Sequence, residues 1–434
     1  MSNGIKDAIG KLSSEKTVLG IDLTDEYTQI SYGTLSGDVQ TYSLSDTDER
    51  LSIPSLLAKK AGENIWYAGE EAIEQVSLGE AVAVDKILAG AVAGSVREID
   101  GLEYDPVELL ALFLKKCLSK LSAVSPLERV VSVTITVDDT KASTIETLTE
   151  AISIIRIKQE QVFFLSHAEA GYHFILHQKQ ELQASDVLVC DLRADGLHTM
   201  LYSKNYRTTP VVVLVDEKHY SNFKPEFFEK NEQQKKKNKD AEFLTICRTI
   251  LEGRRTSSVY LLGDGFTGEW FPDTLKFLCM GRRIFLGSNL FSKGACLGAI
   301  EKNATVKAEK GYVFLGPERL KANLGMNIVR EGQDAYMALL DAGKNWYDSG
   351  KECDLILEND DPVEIVVTPL NGKNIRNVRI QLSGCPVRPP RTTRIHLDIR
   401  MTSEDMVKVC IADLGFGELY PSSGLVWESE FSIA

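Results

Sequence analysis

The sequence contains no Cys-x-x-Cys pair, although it carries eight cysteines. The usual spacing of structural zinc or of a thioredoxin-like redox site is therefore missing. Cys117, Cys190, Cys247, Cys279, Cys296, Cys353, Cys385 and Cys410 lie mostly in apolar text such as VLVCDL and FLCM, which reads as buried, reduced thiols of a cytoplasmic protein. Basic residues are in deficit: 49 Lys+Arg against 62 Asp+Glu leave a net charge of −13. That balance argues against a general nucleic-acid binder, because phosphate neutralisation needs clustered cations. Long hydrophobic runs are also lacking. The best, Ala81 to Gly94, is broken by Asp85 and Lys86 and falls short of the ~20 residues that span a bilayer. The opening MSNGIKDAIGKLSSEK lacks the apolar segment of a signal peptide, so neither export nor a membrane partner is expected. GxxxxGK[ST], GxSxG and HExxH are all missing, which leaves conventional hydrolase chemistry without a signature.

The 434 residues have 43% hydrophobic and 26% charged content, which predicts a globular chain of several domains. Residues 1–15 read as a flexible tail. TVLGID, YTQISYGTL and VQTYSL then read as successive antiparallel strands. A helix is predicted over about 106–123, with Asp105 as cap, Pro106 in the first position and Glu108 three residues after the cap. VVSVTITV (130–137) reads as a strand, Ile145, Leu148, Ile152 and Ile155 as one helix face, VFFL (162–165) as a strand and EAGYHFIL as a helix. DVLVCDL (186–192) repeats the opening design of an apolar strand ending in Asp, a turn and a returning strand. Its Asp191 corresponds to Asp22, so the pattern predicts a duplicated, two-lobed α/β architecture. Residues 224–240, with their run of lysines, read as a solvated loop or helix end. A helix near 241–253, the strand SSVYLL and a helix near 272–279 follow. Beyond about residue 303, short alternating runs separated by Gly, Pro, Asn and Asp predict an all-β module.

Two local patterns suggest chemistry. GDGFTG (263–268) formally matches GxGxxG after a strand, but the region about 20 residues on is GRRIFLG. It lacks the acidic residue that a dinucleotide fold uses on ribose. His173 and His177, with Glu169 one turn earlier, could share a helix face and hold a divalent metal. Without a further ligand they read as an ordinary, partly exposed helix surface.

Taken together, the strand–Asp–turn duplication and GDGFTG resemble the actin-like ATPase fold, and in particular the seventy-kilodalton heat-shock chaperones. TVLGIDLTDEYTQISYG resembles that family's first phosphate loop. LSIPSLLAKKAGENIWYAGEEAIEQ resembles its Ile-Pro-Ser strand and following helix. EAVAVDKILAG places Lys86 where the family keeps a catalytic lysine. VVSVTITVDDTKASTIETLTEAI matches its next strand and helix, DVLVCDLRADG its second phosphate loop, and VYLLGDGFTG its adenosine loop. Residues 378–417, with LSGCP and long alternating strands, resemble its substrate-binding β domain. The resemblance implies lobe I over 16–185, a reduced lobe II over 186–302 and the β-rich domain over 303–434. It further implies ATP and Mg²⁺ as possible ligands, with Asp22 and Asp191 holding hydrated metal, Lys86 on phosphate, and Gly263 and Gly265 on adenosine. The two aspartates could equally be turn residues that end strands.

Several departures weigh on function. The first loop carries Thr24, Asp25 and Glu26 in place of Gly-Thr-Thr, and the second carries Arg193, Ala194 and Asp195 in place of glycines. Asp264 replaces a glycine in the third, and His167 falls where the family has a catalytic glutamate. Each carboxylate–phosphate contact at ~4 Å costs about 1 kcal/mol in water and more at lower dielectric. About 70 residues between Asp191 and Gly263 leave no room for the family's adenine-clamping subdomain, and no helical lid is expected. The expectation is therefore a chaperone-like protein with a degenerate nucleotide cleft that binds a protein or peptide partner, with a divergent Mg-dependent ATPase as the alternative. A sugar kinase of the same fold has no recognisable sugar-binding segment.

Overall fold

A computed structural model describes residues 16–44, 51–122, 129–206, 210–226, 228–229, 232–303, 311–359, 362–369 and 374–433. The tail expected at 1–15 lies outside the described residues. Two compact units divide the chain, 1–314 and 315–434.

The first unit contains one design twice. Its first half runs β1 (Thr17–Leu23), β2 (Tyr27–Thr34), β3 (Val39–Thr41), α1 (Pro106–Leu121), β4 (Val130–Val137), α2 (Ala142–Ile154), β5 (Val162–Ser166) and α3 (His167–Leu176). The second runs β6 (Asp186–Arg193), β7 (Gly196–Asn205), β8 (Val211–Tyr220), α4 (Gln233–Leu251), β9 (Thr256–Leu262), α5 (Pro272–Leu278), β10 (Arg283–Gly287) and α6 (Leu290–Asn303). The sheet orders are β5-β4-β1-β2-β3 and β10-β9-β6-β7-β8. In each, the first three strands are an antiparallel meander and the last two run parallel to the first. β1 and β6 are central and buried on both faces, which is why both read as continuous apolar runs and not as alternations.

Local signals explain most of these elements. Asp105 caps α1 by accepting from Val107 and Glu108 N–H at 2.8 and 3.1 Å. Ile145, Leu148 and Ile152 form the buried face of α2. Between β3 and α1 the first half carries an insertion: a three-stranded sheet (Leu57–Lys60, Trp66–Ala68, Ala81–Val84), helices Glu70–Ser77 and Ile87–Val92, and a hairpin at 97–104. In the second half, residues 221–232 alone join β8 to α4. The lysine-rich stretch runs into a helix end, α4 beginning at Gln233 inside it, but it is not solvated throughout. Lys239 is buried, 3.1 Å from Glu226 and 3.9 Å above the Phe223 ring. Asp240 caps α5 through Asp273 N–H and Thr274 N–H at 2.7 and 2.9 Å.

The two halves exchange their last helices. Ala168, Ala170, Tyr172 and Ile175 of α3 pack into the core of the second sheet with Val187, Val189 and Met200. Cys296 and Ala299 of α6 pack on Val18 of the first. The helices cross where a Cβ on Gly294 would stand 1.9 Å from the Ala170 carbonyl oxygen, and α6 meets β1 where a Cβ on Gly20 would stand 2.2 Å from the Cys296 nitrogen. Backbone therefore touches backbone on both sides of α6.

Residues 312–315 add a strand to the second sheet beside β8. The β-rich unit accordingly begins a dozen residues later than the expected boundary at 303. It holds β11 (Ala322–Arg330), β12 (Gln333–Leu340), β13 (Gly350–Leu357), β14 (Val363–Pro369), β15 (Arg376–Ile380), β16 (Thr393–Met401), β17 (Met406–Gly415) and β18 (Val426–Ser432). They form two antiparallel sheets, β12-β11-β14-β15 and β13-β16-β17-β18. Strict alternation along β16 and β17 buries Ile395, Leu397, Ile399, Val407, Val409 and Ile411. A bidentate pair, Arg388 to Asp413 at 2.8 Å for both bonds, ties the loop before β16 to the end of β17. Asp413 also accepts from Gly415 and Ser423 N–H, and the Arg388 guanidinium beside it holds its carboxyl well below the usual carboxylate range.

Among the described residues no helix is long and apolar enough to cross a membrane. The eight cysteines are thiols, not disulfides. Cys117, Cys190, Cys247 and Cys296 are buried, whereas Cys279 is exposed.

The helix crossing generates a ranking. Gly294→Ala should destabilise the protein by about 3 kcal/mol or more, since neither backbone can retreat. Gly298→Ala meets side chains only, the His173 ring at 3.1 Å and Leu165 Cδ1 at 3.2 Å, and should stay within about 1 kcal/mol of the parent because these can give way and Ala favours the helix. Thermal and urea unfolding of both variants will check the order; equal costs would refute the tight crossing.

Candidate functional site

Duplication brings the ends of β1, β4, β5 and β6 together between the halves, and each end delivers a charged side chain. Asp22 and Asp191 occupy equivalent positions near the ends of β1 and β6, and both are buried. His167 is the first residue of α3, and Asp138 follows β4 directly. The imidazole sits between two carboxylates, Nε2 at 2.7 Å from Asp22 Oδ1 and Nδ1 at 2.7 Å from Asp138 Oδ1. Each ring nitrogen thus faces a carboxylate, which favours the imidazolium. Its ring stacks on Phe291 of α6 at 4.3 Å. Arg193, at the end of β6, reaches back into the cluster. Its Nε donates to Asp191 Oδ2 and its Nη1 to Asp138 Oδ1.

Two cations therefore balance three aspartates. Burial by itself would depress the His167 pKa, but Asp138 and Asp22 outweigh it and lift the group to about 9. Burial would raise Asp138, but His167 and Arg193 outweigh it and hold that carboxyl far below its ordinary range. Arg193 Nη2 lies 3.1 Å from His167 Nδ1, a cation–cation approach tolerated only because carboxylates surround both. Asp22 Oδ2 and Asp191 Oδ1 are buried and, among the described residues, have no hydrogen-bond partner.

The loops around this cluster satisfy their own amides. The Thr24 hydroxyl accepts from Glu26 and Tyr27 N–H at 3.3 and 3.1 Å and donates to the Tyr27 carbonyl at 2.8 Å, closing the β1–β2 turn on itself. Asp25 Oδ1 accepts from Leu88 and Ala89 N–H at 2.9 and 3.0 Å, at the start of the helix Ile87–Val92. The Glu26 carboxylate accepts from Ala194 N–H, between β6 and β7; burial raises its pKa and that bond lowers it.

The expected site residues divide accordingly. Asp22 and Asp191 are brought together through His167, Asp138 and Arg193. Lys86 stands apart from this network: it is exposed, with φ of 49°, immediately before the helix that Asp25 caps. Among the described residues it makes no ion pair. Gly263, at φ 89°, and Gly265 lie against β6, where a Cβ would stand 2.4 Å from Leu192 O and from Leu192 Cγ respectively. Their smallness is required by packing of the GDGFTG turn on β6, without reference to any ligand. Asp264 is exposed. His173 and Glu169 are not on a partly exposed surface but buried between α3 and α6, with His173 Nδ1 3.1 Å from Glu301.

Asp138 and the cationic role of Arg193 were not anticipated. The Asp after VVSVTITV gave a faint signal for the first. The second needed knowledge of where a long side chain turns.

The His167 pKa fixes a pH dependence. The unfolded imidazole titrates near about 6.5, the folded one at about 9. Its contribution is therefore full below about pH 6.5 and is lost as pH rises through about 9. Chemical denaturation between pH 6 and 10 should show a loss of up to about 3 kcal/mol, absent in His167→Gln. A parent profile flat over that range would contradict the imidazolium.

No curated protein matches the chain. Residues 319–433 match a domain of unknown function, DUF8552, so the β-rich unit corresponds closely to one family model. Residues 38–317, most of the first unit, match the C-terminal model of a family of unknown function, DUF5716, and the chain belongs to that family.

Proposed function

We propose that the first unit is an actin-like fold whose nucleotide cleft is closed by its own side chains, and that the protein is a chaperone-like, non-catalytic binding or scaffold protein. One observation carries this reading: the bridge Asp22–His167–Asp138–Arg193–Asp191. A hydrated Mg²⁺ between Asp22 and Asp191 would have to sit beside the Arg193 guanidinium, which already holds Asp191 Oδ2. Phosphates would have to displace the Thr24 hydroxyl and the Glu26 carboxylate from the amides of the first and second loops. The residues present do not fit Mg-ATP.

Calorimetry should give no nucleotide-dependent heat when ATP or ADP with Mg²⁺ is titrated into the full chain. Micromolar binding would overturn the proposal. The free oxygens Asp22 Oδ2 and Asp191 Oδ1 favour one second reading, the divergent Mg-dependent ATPase. It requires ATP turnover that Asp191→Asn abolishes, whereas the closed cleft predicts no turnover in either protein.

A protein or peptide partner is the other half of the proposal. In the β-rich unit Val387 and Leu419 are 90% and 87% exposed. Both sit on loops tied by Arg388, which binds Asp413 and the Pro421 carbonyl. Apolar side chains on rigid loops favour contact with an extended, apolar peptide. Fluorescence polarisation against unfolded peptides should show saturable binding that Val387→Asp weakens; no saturable binding across the panel would reject the peptide partner.

A further inference from the structure

Outside the cleft cluster, the β6–β7–β8 meander gathers three metal-ligating groups. Asp195 lies in the two-residue turn between β6 and β7. His198 of β7 stands directly opposite His219 of β8 in the antiparallel register, so both imidazoles leave the same face of the sheet. The rings stack at 4.1 Å and 13°. His198 Nε2 lies 2.9 Å from Asp195 Oδ2, and His219 Nε2 lies 3.6 Å from the same oxygen. The three ligand atoms all fall within 4.8 Å of one another.

We propose that Asp195, His198 and His219 form a binding site for a divalent transition ion of borderline softness, Zn²⁺ foremost. Metal–nitrogen and metal–oxygen bonds of about 2.0–2.2 Å at a tetrahedral centre place ligand atoms about 3.4 Å apart, and the two observed separations bracket that value. Imidazole and carboxylate are the donors such an ion prefers. The side chains are 56%, 21% and 43% exposed in chain order, which leaves the fourth position open to water or an outside ligand. All three come from one meander, so strand pairing holds their backbones in place, and the two rings have only to tilt out of their stack for both Nε2 atoms to meet one ion. Gly196 supports this: a Cβ there would stand 3.0 Å from His219 Nε2 and 2.5 Å from the Tyr220 carbonyl, crowding the nitrogen that would bind. Asp195 is two residues from Arg193, so a metal held here fastens the turn that carries the cation closing the cleft. The site itself does not depend on the function proposed above.

The test is titration of the chelator-treated full chain with Zn²⁺, followed by calorimetry, and with Co²⁺, followed by its visible absorption. The expected result is one equivalent bound, a tetrahedral-type Co²⁺ spectrum and a raised melting temperature with Zn²⁺. His198→Ala and His219→Ala should weaken binding at least about tenfold, a loss that even outer-sphere changes can produce. His396→Ala, which removes the histidine beside Asp354 in the β-rich unit, should bind like the parent. Circular dichroism of each variant will separate lost ligands from lost fold. Equal Zn²⁺ affinity in the parent and both folded meander variants, or no saturable binding in the parent, would overturn the site.

Discussion

The first unit depends on the crossing of α3 and α6, where Gly294 leaves no room for a side chain against Ala170. Each half gives its last helix to the other's sheet. Neither sheet can complete its core without the opposite half, so the two do not separate at low cost. The same crossing builds the site. It starts α3 at His167 and α6 close to Phe291, and stacks the two rings between the sheets. A small shift at Gly294 would therefore be felt at the imidazole.

Around that imidazole the energetics are those of a buried ion network. Taking charges from water costs several kcal/mol per ion, and only good geometry with full hydrogen bonding restores it. Breaking such a pair from one side costs about 3–5 kcal/mol, because the survivor is stranded. Arg193 serves Asp191 and Asp138 at once, and His167 serves Asp138 and Asp22. Loss of either cation would strand one carboxylate, Asp22 or Asp191, and leave Asp138 with a single partner, so the network holds the two halves in one arrangement as well as adding stability. The closed cleft proposed above rests on the same pairing: the cations that would greet a polyanion are already engaged.

Much of the fold was legible because it rests on periodicity. The strand–Asp–turn repeat around Asp22 and Asp191 revealed the duplication, and Asp105, Pro106 and Glu108 marked the start of α1. What failed rests on long side chains and on tertiary burial. The lysine-rich stretch looked solvated, yet Lys239 lies over Phe223 and Asp240 caps a helix over 30 residues away. The His173 face looked exposed because the crossing helix that covers it comes from the other half. Residues 312–315 were placed with the β-rich module because a strand's sequence does not say which sheet it joins. Gly263 and Gly265 carried a ligand expectation, whereas contact with Leu192 is enough to require them. Arg193 read only as a departure from a run of glycines, and its reach to Asp138 shows it to be the second cation of the cluster.

The acidic residues of the loops illustrate the same point from the other side. Read as sequence, Asp25, Glu26 and Asp195 are charges that would repel phosphate. In the fold each has work that phosphate oxygens could do. Asp25 takes two amides at a helix start, Glu26 takes the Ala194 amide across the cleft, and Asp195 faces two imidazoles. Buried amides require acceptors whether or not a ligand supplies them. A loop that carries its own carboxylates meets that requirement without a bound ligand. At this place the chain's acidic side chains thus serve as its own acceptors for loop amides.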